Sequence, residues 1–222
     1  MSKYIIANAA SWGGNELSKS ALADQADFIL VSSPDELVAQ LSPGIEAIFF
    51  VHWRWIVKDS ILQKYRCVCF HMTDLPYGRG GSPLQNLILR GFKETVLSAL
   101  EMTSEIDGGP VYCKRPLSLA GSAEEIYCRM NTVAYEIIVD MVHCWPSSKP
   151  QEGEVTYFTR RQPHMSRIPS GMNGEELYDF IRMLDAEGYP RAYIEHDGCR
   201  YTFSNAKING DEVSAEVKVT TV

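Results

Sequence analysis

The chain has 222 residues, 45% of them hydrophobic and 22% charged, a length that suits one domain or one domain with a small appendage. The 21 Lys+Arg against 28 Asp+Glu give a formal net charge of −7, which argues against a protein whose main task is to coat a nucleic-acid backbone. No apolar run approaches the ~20 residues that a membrane-spanning helix needs.

The opening Met1-Ser2-Lys3-Tyr4-Ile5-Ile6-Ala7 has too short an apolar patch for a secretory signal, so a cytoplasmic location and no membrane partner are expected. Residues 4–7, 27–31, 47–51 and 67–70 are compact, β-branched or aromatic and nearly continuously apolar, as strands covered on both faces must be. Between the second and third, Ser33 and Pro34 announce a short helix through Leu41. This alternation predicts an open, mostly parallel α/β sheet. Trp12-Gly13-Gly14 is a turn signal only, and no dinucleotide-binding glycine fingerprint follows the first strand.

Ser82-Pro83-Leu84-Gln85 predicts a further helix, with Ser82 as cap, Gln85 closing a capping box, Leu84, Leu87 and Ile88 inward and Gly91 as its stop. Ser122-Ala123-Glu124-Glu125 repeats the pattern and opens a long helix with Ile126, Met130, Val133, Ile137 and Met141 on its core face. Residues 146–153 are polar and rich in breakers, a linker signal that divides the chain at 150–151. Beyond it, Asn173-Gly174-Glu175-Glu176 caps a helix carrying Leu177, Phe180, Ile181 and Leu184, stopped by Gly188. Strands follow at 192–195 and 201–208, the latter turning at Asn209-Gly210 into the alternating Val213, Ala215, Val217 and Val219. Residues 1–150 thus form a core and 151–222 a helix with a small β appendage, whose exposed strands suit pairing across a homodimer. The six cysteines, Cys67, Cys69, Cys113, Cys128, Cys144 and Cys199, lack CxxC spacing and read as reduced core residues, with no zinc framework.

In an open α/β sheet, ligands bind beyond the carboxyl ends of the strands. Two loops leave that rim: His52-Trp53-Arg54-Trp55 and the longer run from His71 to Pro83. A histidine at a strand end can serve as a general base, and Gly78-Arg79-Gly80-Gly81 can bring backbone N–H groups to a ligand. The plain alternative is a histidine satisfying a backbone carbonyl. Ile106-Asp107-Gly108-Gly109-Pro110 supplies a carboxylate able to face the same rim. A nucleophilic Cys69/His71 pair is conceivable, against an inert buried cysteine.

The ordered set His71-x-x-x-Leu75-Pro76-x-x-Arg79-Gly80-x-x-Pro83, Gly91, Glu94-Thr95 and Ile106-Asp107-x-Gly109 closely resembles the folate-dependent formyltransferases. Weaker similarity runs through Arg160-Arg161-x-Pro163, Tyr178-x-Phe180-Ile181-Arg182 and Gly188-Tyr189-Pro190-x-Ala192. The resemblance implies a Rossmann-like formyltransferase fold and attack of an amine on the formyl group of 10-formyltetrahydrofolate. His71 would take the amine proton or help stabilise an oxyanion, while Asp107 would hold His71 and relay protons. Trp53, Arg54, Trp55, Ile56 and Ile106 would line the folate site. Asp74, Tyr77, Gly78, Arg79, Gly80, Gly81, Ser82, Arg160 and Arg161 would meet the substrate, the arginines suiting a diphosphate.

Cys69 stands where the family has an asparagine that donates to the oxyanion, and a thiol donates weakly. Thr73 and Asn86 are local substitutes. Thr73-Asp74 also departs from the family's Ser-Leu, and the loop most resembles sugar N-formyltransferases of the pseudaminic-acid type. The expected substrate is therefore a nucleotide-linked amino sugar, such as a UDP-4-amino-4,6-dideoxy sugar, with no nucleic-acid partner. The alternatives are glycinamide ribonucleotide or another small amine, or a catalytically weak folate- or nucleotide-sugar-binding protein.

Overall fold

The computed structural model describes residues 2–10 and 26–221; Met1 and the turn expected at Trp12-Gly13-Gly14 lie outside the described residues. Contacts gather the chain into two units. One holds the chain through Gly80, Thr95–Leu117 and Cys128–Tyr157; the other holds Gly81–Glu94, Ser118–Tyr127 and everything from Phe158 onward. The grouping does not follow a single cut at 150–151. Residues 81–94 join the later chain because Gln85 donates its amide to Met183 O and Asn86 to Thr159 O, both at 3.1 Å.

The first unit is built on a sheet of strands β1 (Lys3–Ala7), β2 (Asp27–Val31), β3 (Ile45–Phe50), β4 (Arg66–His71), β6 (Glu94–Glu101) and β7 (Val111–Ser118), ordered β2-β1-β3-β4-β6-β7. The two-residue strands β5 (Arg79–Gly80) and β8 (Tyr157–Phe158) lie outside it. β1 to β4 pair parallel, and β6 runs antiparallel to β4. Ile5, Ile6, Ile48 and Phe49 are fully buried, adjacent residues pointing to opposite faces, so both faces of these strands are covered. Leu37, Val57 and Ile61 pack on Ile5, Val31, Ile48 and Phe50, and each such burial contributes roughly 1.5–3 kcal/mol.

Local signals explain the helices. Helix α1 (Pro34–Gln40) has Pro34 in its first turn, and Ser33 Oγ accepts from Glu36 N; α2 (Asp59–Leu62) is a single turn. Helix α4 (Ala123–His143) opens with a reciprocal box, Ser122 Oγ accepting from Glu125 N and Glu125 Oε2 from Ser122 N. Ile126, Met130, Ile137 and Met141 are buried as expected; Val133 is half-buried. Among the described residues no helix is long and apolar enough to cross a membrane. None of the six cysteines is in a disulfide, and Cys67 is buried, Cys144 exposed and the other four half-buried.

The second unit holds helices α3 (Pro83–Ile88) and α5 (Gly174–Arg182) and a three-stranded antiparallel sheet ordered β11-β10-β9, from β9 (Tyr193–His196), β10 (Cys199–Asn209) and β11 (Glu212–Thr221). Asn173 and Glu176 form the expected box on α5. Two expectations fail. Ser82 does not cap α3: its backbone is left-handed, with φ 55°, and its hydroxyl accepts from Arg161 N instead, while Gln85 turns inward to Tyr127. The last hairpin turns one residue later than the Asn-Gly pair, because Asn209 pairs with Glu212 and leaves Gly210-Asp211 as the loop. Gly210, at φ 59°, takes the first loop position, where the backbone must go left-handed.

Candidate active site

β3 and β4 run parallel, so the loops after them open at one end of the sheet. The β6–β7 turn closes with Glu101 N donating to Pro110 O and reaches back along β4, which brings Asp107 beside His71. The Nδ1 of His71 lies 3.5 Å from Asp107 Oδ2, with the two side chains 8% and 18% exposed. Nε2 is 2.8 Å from Gly78 O. A carbonyl only accepts, so Nε2 carries a hydrogen, and Nδ1 is the ring nitrogen that faces Asp107. The carbonyl contact expected in the plain alternative is present, and Gly78 O is the closer of the two groups that orient the imidazole.

Asp107 is itself held. Gly80 N donates to Oδ2 at 2.9 Å, and the residue sits at φ 51°, a left-handed backbone that costs of order 1 kcal/mol and persists only where surroundings enforce it. Enforcement comes from a stretch that reads as linker. The side-chain amide of Gln151 donates to Asp107 O and Gly109 O, each at 2.8 Å, and its oxygen accepts from Arg79 Nε at 3.1 Å and Nη2 at 2.9 Å. Thr156 Oγ1 accepts from Gly78 N and its carbonyl from Arg79 N. Sequence reasoning missed Gln151, Thr156 and Glu105, since isolated polar residues in a polar stretch leave no periodic trace.

These bonds correct three expectations. Arg79, expected at a diphosphate, is buried, with Nη1 on Glu105 Oε1 at 2.5 Å and its other nitrogens on Gln151. The N–H groups of Gly78 and Gly80, expected to meet a ligand, are taken by Thr156 and Asp107. Asn86, considered as a substitute for the missing asparagine, donates to Gly81 O, Ser82 O and Thr159 O. Thr73 is buried, its hydroxyl directed at the same Gly78 carbonyl as His71.

Cys69 stands two residues before His71, on the same face of β4. Burial first, and the Asp107 charge second, hold its thiol well above the ordinary 9.0; Cys67 is pushed up to about 12 by burial. A neutral thiol is a poor nucleophile, which counts against the Cys69/His71 pair. In the β3 loop, Trp53 packs edge-on against Phe50 and Trp55, at 5.7 Å and 4.8 Å between ring centres, and Arg54 lies over Trp55. Ile56 and Ile106 are 85% and 61% exposed. Asp74, at the mouth, pairs with Lys114 at 2.5 Å, and Tyr77 is half-buried.

Gly81, Ser82, Arg160 and Arg161 belong to the second unit. A side chain at Gly81 would collide with Arg160. Arg160 is exposed; Arg161 turns inward over Phe180 and donates to Met165 O, and burial lowers its proton affinity.

A solved structure titled methionyl-tRNA formyltransferase from Clostridium thermocellum is 40% identical over the full length of both chains, with a TM-score of 0.94. The chain belongs to the methionyl-tRNA formyltransferase family. Residues 163–220 match the family model described as the methionyl-tRNA formyltransferase C-terminal domain. The methionyl-tRNA formyltransferase of Sinorhizobium medicae is 28% identical over 183 residues, 77% of this chain and 57% of its own. The chain thus spans little more than half the length of that curated relative. A sugar N-formyltransferase from Shewanella shares the fold at 16% identity, with a TM-score of 0.67 over 92% of this chain and 97% of its own.

Proposed function

We propose that the chain is a folate-dependent N-formyltransferase that formylates a primary amine. The observation that carries this reading is the buried His71–Asp107 pair, with Nε2 held by Gly78 O and Nδ1 turned to the carboxylate, in a member of this family. The exposed side chains of Ile56, Ile106 and Trp55 fit the apolar ring system of 10-formyltetrahydrofolate, and Arg54 and the backbone of residues 53–56 would hold its polar edge. When bound, that group supplies the formyl carbon. Nδ1 of His71 would take the proton that the attacking amine loses as its nitrogen bonds to the formyl carbon, and would return it to the nitrogen released when the old formyl C–N bond breaks, the neighbouring Asp107 carboxylate stabilising the imidazolium in between. Gly78 keeps the ring from rotating as its charge changes.

We assign the amine to a nucleotide-linked amino sugar, of the UDP-4-amino-4,6-dideoxy kind. The net charge of −7 supports a small anionic substrate over a long phosphate backbone. Asp74 would contact the amine side. Methionyl-tRNA is the second reading, favoured by the names of the relatives. Incubation with 10-formyltetrahydrofolate and either amino-sugar nucleotides or methionyl-tRNA, followed by mass spectrometry, should give a formylated sugar nucleotide. His71→Ala and Asp107→Ala should each lower the rate ~10²–10⁴-fold, the worth of a placed general base; near-normal activity in either would overturn the site.

A second copy of the chain is the partner proposed for the C-terminal strands. β11 stands at the edge of its sheet with Val217 and Val219 exposed on one face. An antiparallel pairing about a two-fold axis at Val217 sets Glu216 against the partner's Lys218 twice and Ala215 against Val219 twice. Registers two residues to either side oppose Glu216 to itself or Lys218 to itself, so the charges select one arrangement.

A further inference from the structure

We infer that Gln151 is a positioning residue that sets the carboxylate of Asp107 against His71. The inference rests on the formyl-transfer reading for its consequence but not for its geometry. Every hydrogen-bonding position of this carboxamide is used. Its two N–H groups hold carbonyls on either side of Gly108, at Asp107 and Gly109, and its oxygen takes two nitrogens of Arg79. The first pair grips the turn that carries Asp107 by its backbone; the second ties it to the strand whose next residue, Gly80, donates to Asp107 Oδ2. The residue before Arg79 is Gly78, whose carbonyl fixes His71.

One side chain therefore joins the two backbone segments that orient the imidazole and the carboxylate. Glu105 on Arg79 Nη1 gives a second tie between them, but it is exposed, whereas Gln151 bonds to the backbone of Asp107 itself. Only a group that both donates and accepts can bridge two carbonyls and a guanidinium, and asparagine is one methylene shorter. Gly109 supports the same turn, since a Cβ there would run into Glu101 O.

Gln151→Glu separates positioning from bulk support. It keeps the acceptor for Arg79 and removes both donors to the turn, placing a carboxylate against two carbonyls. If Gln151 merely supplies Arg79 with an acceptor, this variant is fully active. Positioning predicts instead that kcat falls ~10–100-fold in both Gln151→Glu and Gln151→Ala, the scale of a misplacement approaching 1 Å. KM for the amine should stay close to wild type, and the acidic limb of the pH–rate profile should move. The ring ¹⁵N resonances of His71, read by NMR at fixed pH, should shift in both variants while circular dichroism is unchanged. That spectroscopic arm needs no turnover. If wild type transfers no formyl group, the functional reading fails while the His71 resonances still judge Gln151. Unmoved resonances, or a Gln151→Glu enzyme with wild-type kcat, would overturn the inference.

Discussion

Cys69 stands two residues before His71 on the same strand face, yet its chemistry is muted. Burial, reinforced by the Asp107 carboxylate, keeps the sulfur protonated. Neither of its available forms suits a demanding role: the thiolate is suppressed and the thiol is a weak donor. Cys69→Ala should therefore retain turnover close to wild type, measured as formylated product per enzyme. A loss of ~10²–10³-fold, the size expected for a true oxyanion donor, would show that the thiol has taken over the missing amide. Arg79 teaches the reverse lesson. Its guanidinium suits phosphate by type, and its burial against Glu105 and Gln151 makes it a structural cation of the turn.

At the scale of elements, the end of β3 links packing to pH. His52 follows the strand with φ 54°, and burial, with a smaller push from the Arg54 charge, takes its imidazole from 6.5 down to about 4. Above pH 6.5 the ring is neutral in both folded and unfolded chains, so it adds no pH dependence. As acid takes the solution from there toward pH 4, the unfolded chain binds a proton that the fold refuses. The linkage should remove about 2 kcal/mol of stability between roughly pH 7 and pH 5. His52→Asn, which tolerates the left-handed backbone, should flatten that slope in urea titrations; a slope matching wild type would refute the assignment.

The elements themselves were largely legible in the sequence. Continuous apolar runs marked β1 to β4, and the Ser33, Ser122 and Asn173 caps marked three helix starts, because these signals depend on neighbours a few residues away. Ser82 and the Asn209-Gly210 pair misled for the opposite reason. The hydroxyl of one is claimed by Arg161, 79 positions along, and the turn at the other follows from cross-strand pairing of Asn209 with Glu212. His71 and Asp107 were legible through their motif, whereas Gln151 and Thr156 became visible only once the chain was folded.

For the whole molecule, the edge of β11 makes assembly testable. Lys218→Glu would place Glu216 against a second carboxylate across the two-fold axis, and sedimentation should then report a monomer at concentrations where wild type is a dimer. Adding Glu216→Lys restores opposite charges in the same register and should restore the dimer. A wild type that stays monomeric at high concentration would remove the proposed contact altogether.

The way the backbone is threaded has a consequence for evolution and for engineering. The grouping changes at 80/81, 94/95, 117/118, 127/128 and 157/158, so the peptide chain passes between the units five times. No single scission can liberate either half, and a swap of one tail for another must carry replacement partners for the amides and carbonyls of Gln85, Leu119 and Gly121, which bind Met183 and Arg182. New specificity in such a scaffold is more readily gained by rewriting exposed loops than by exchanging modules.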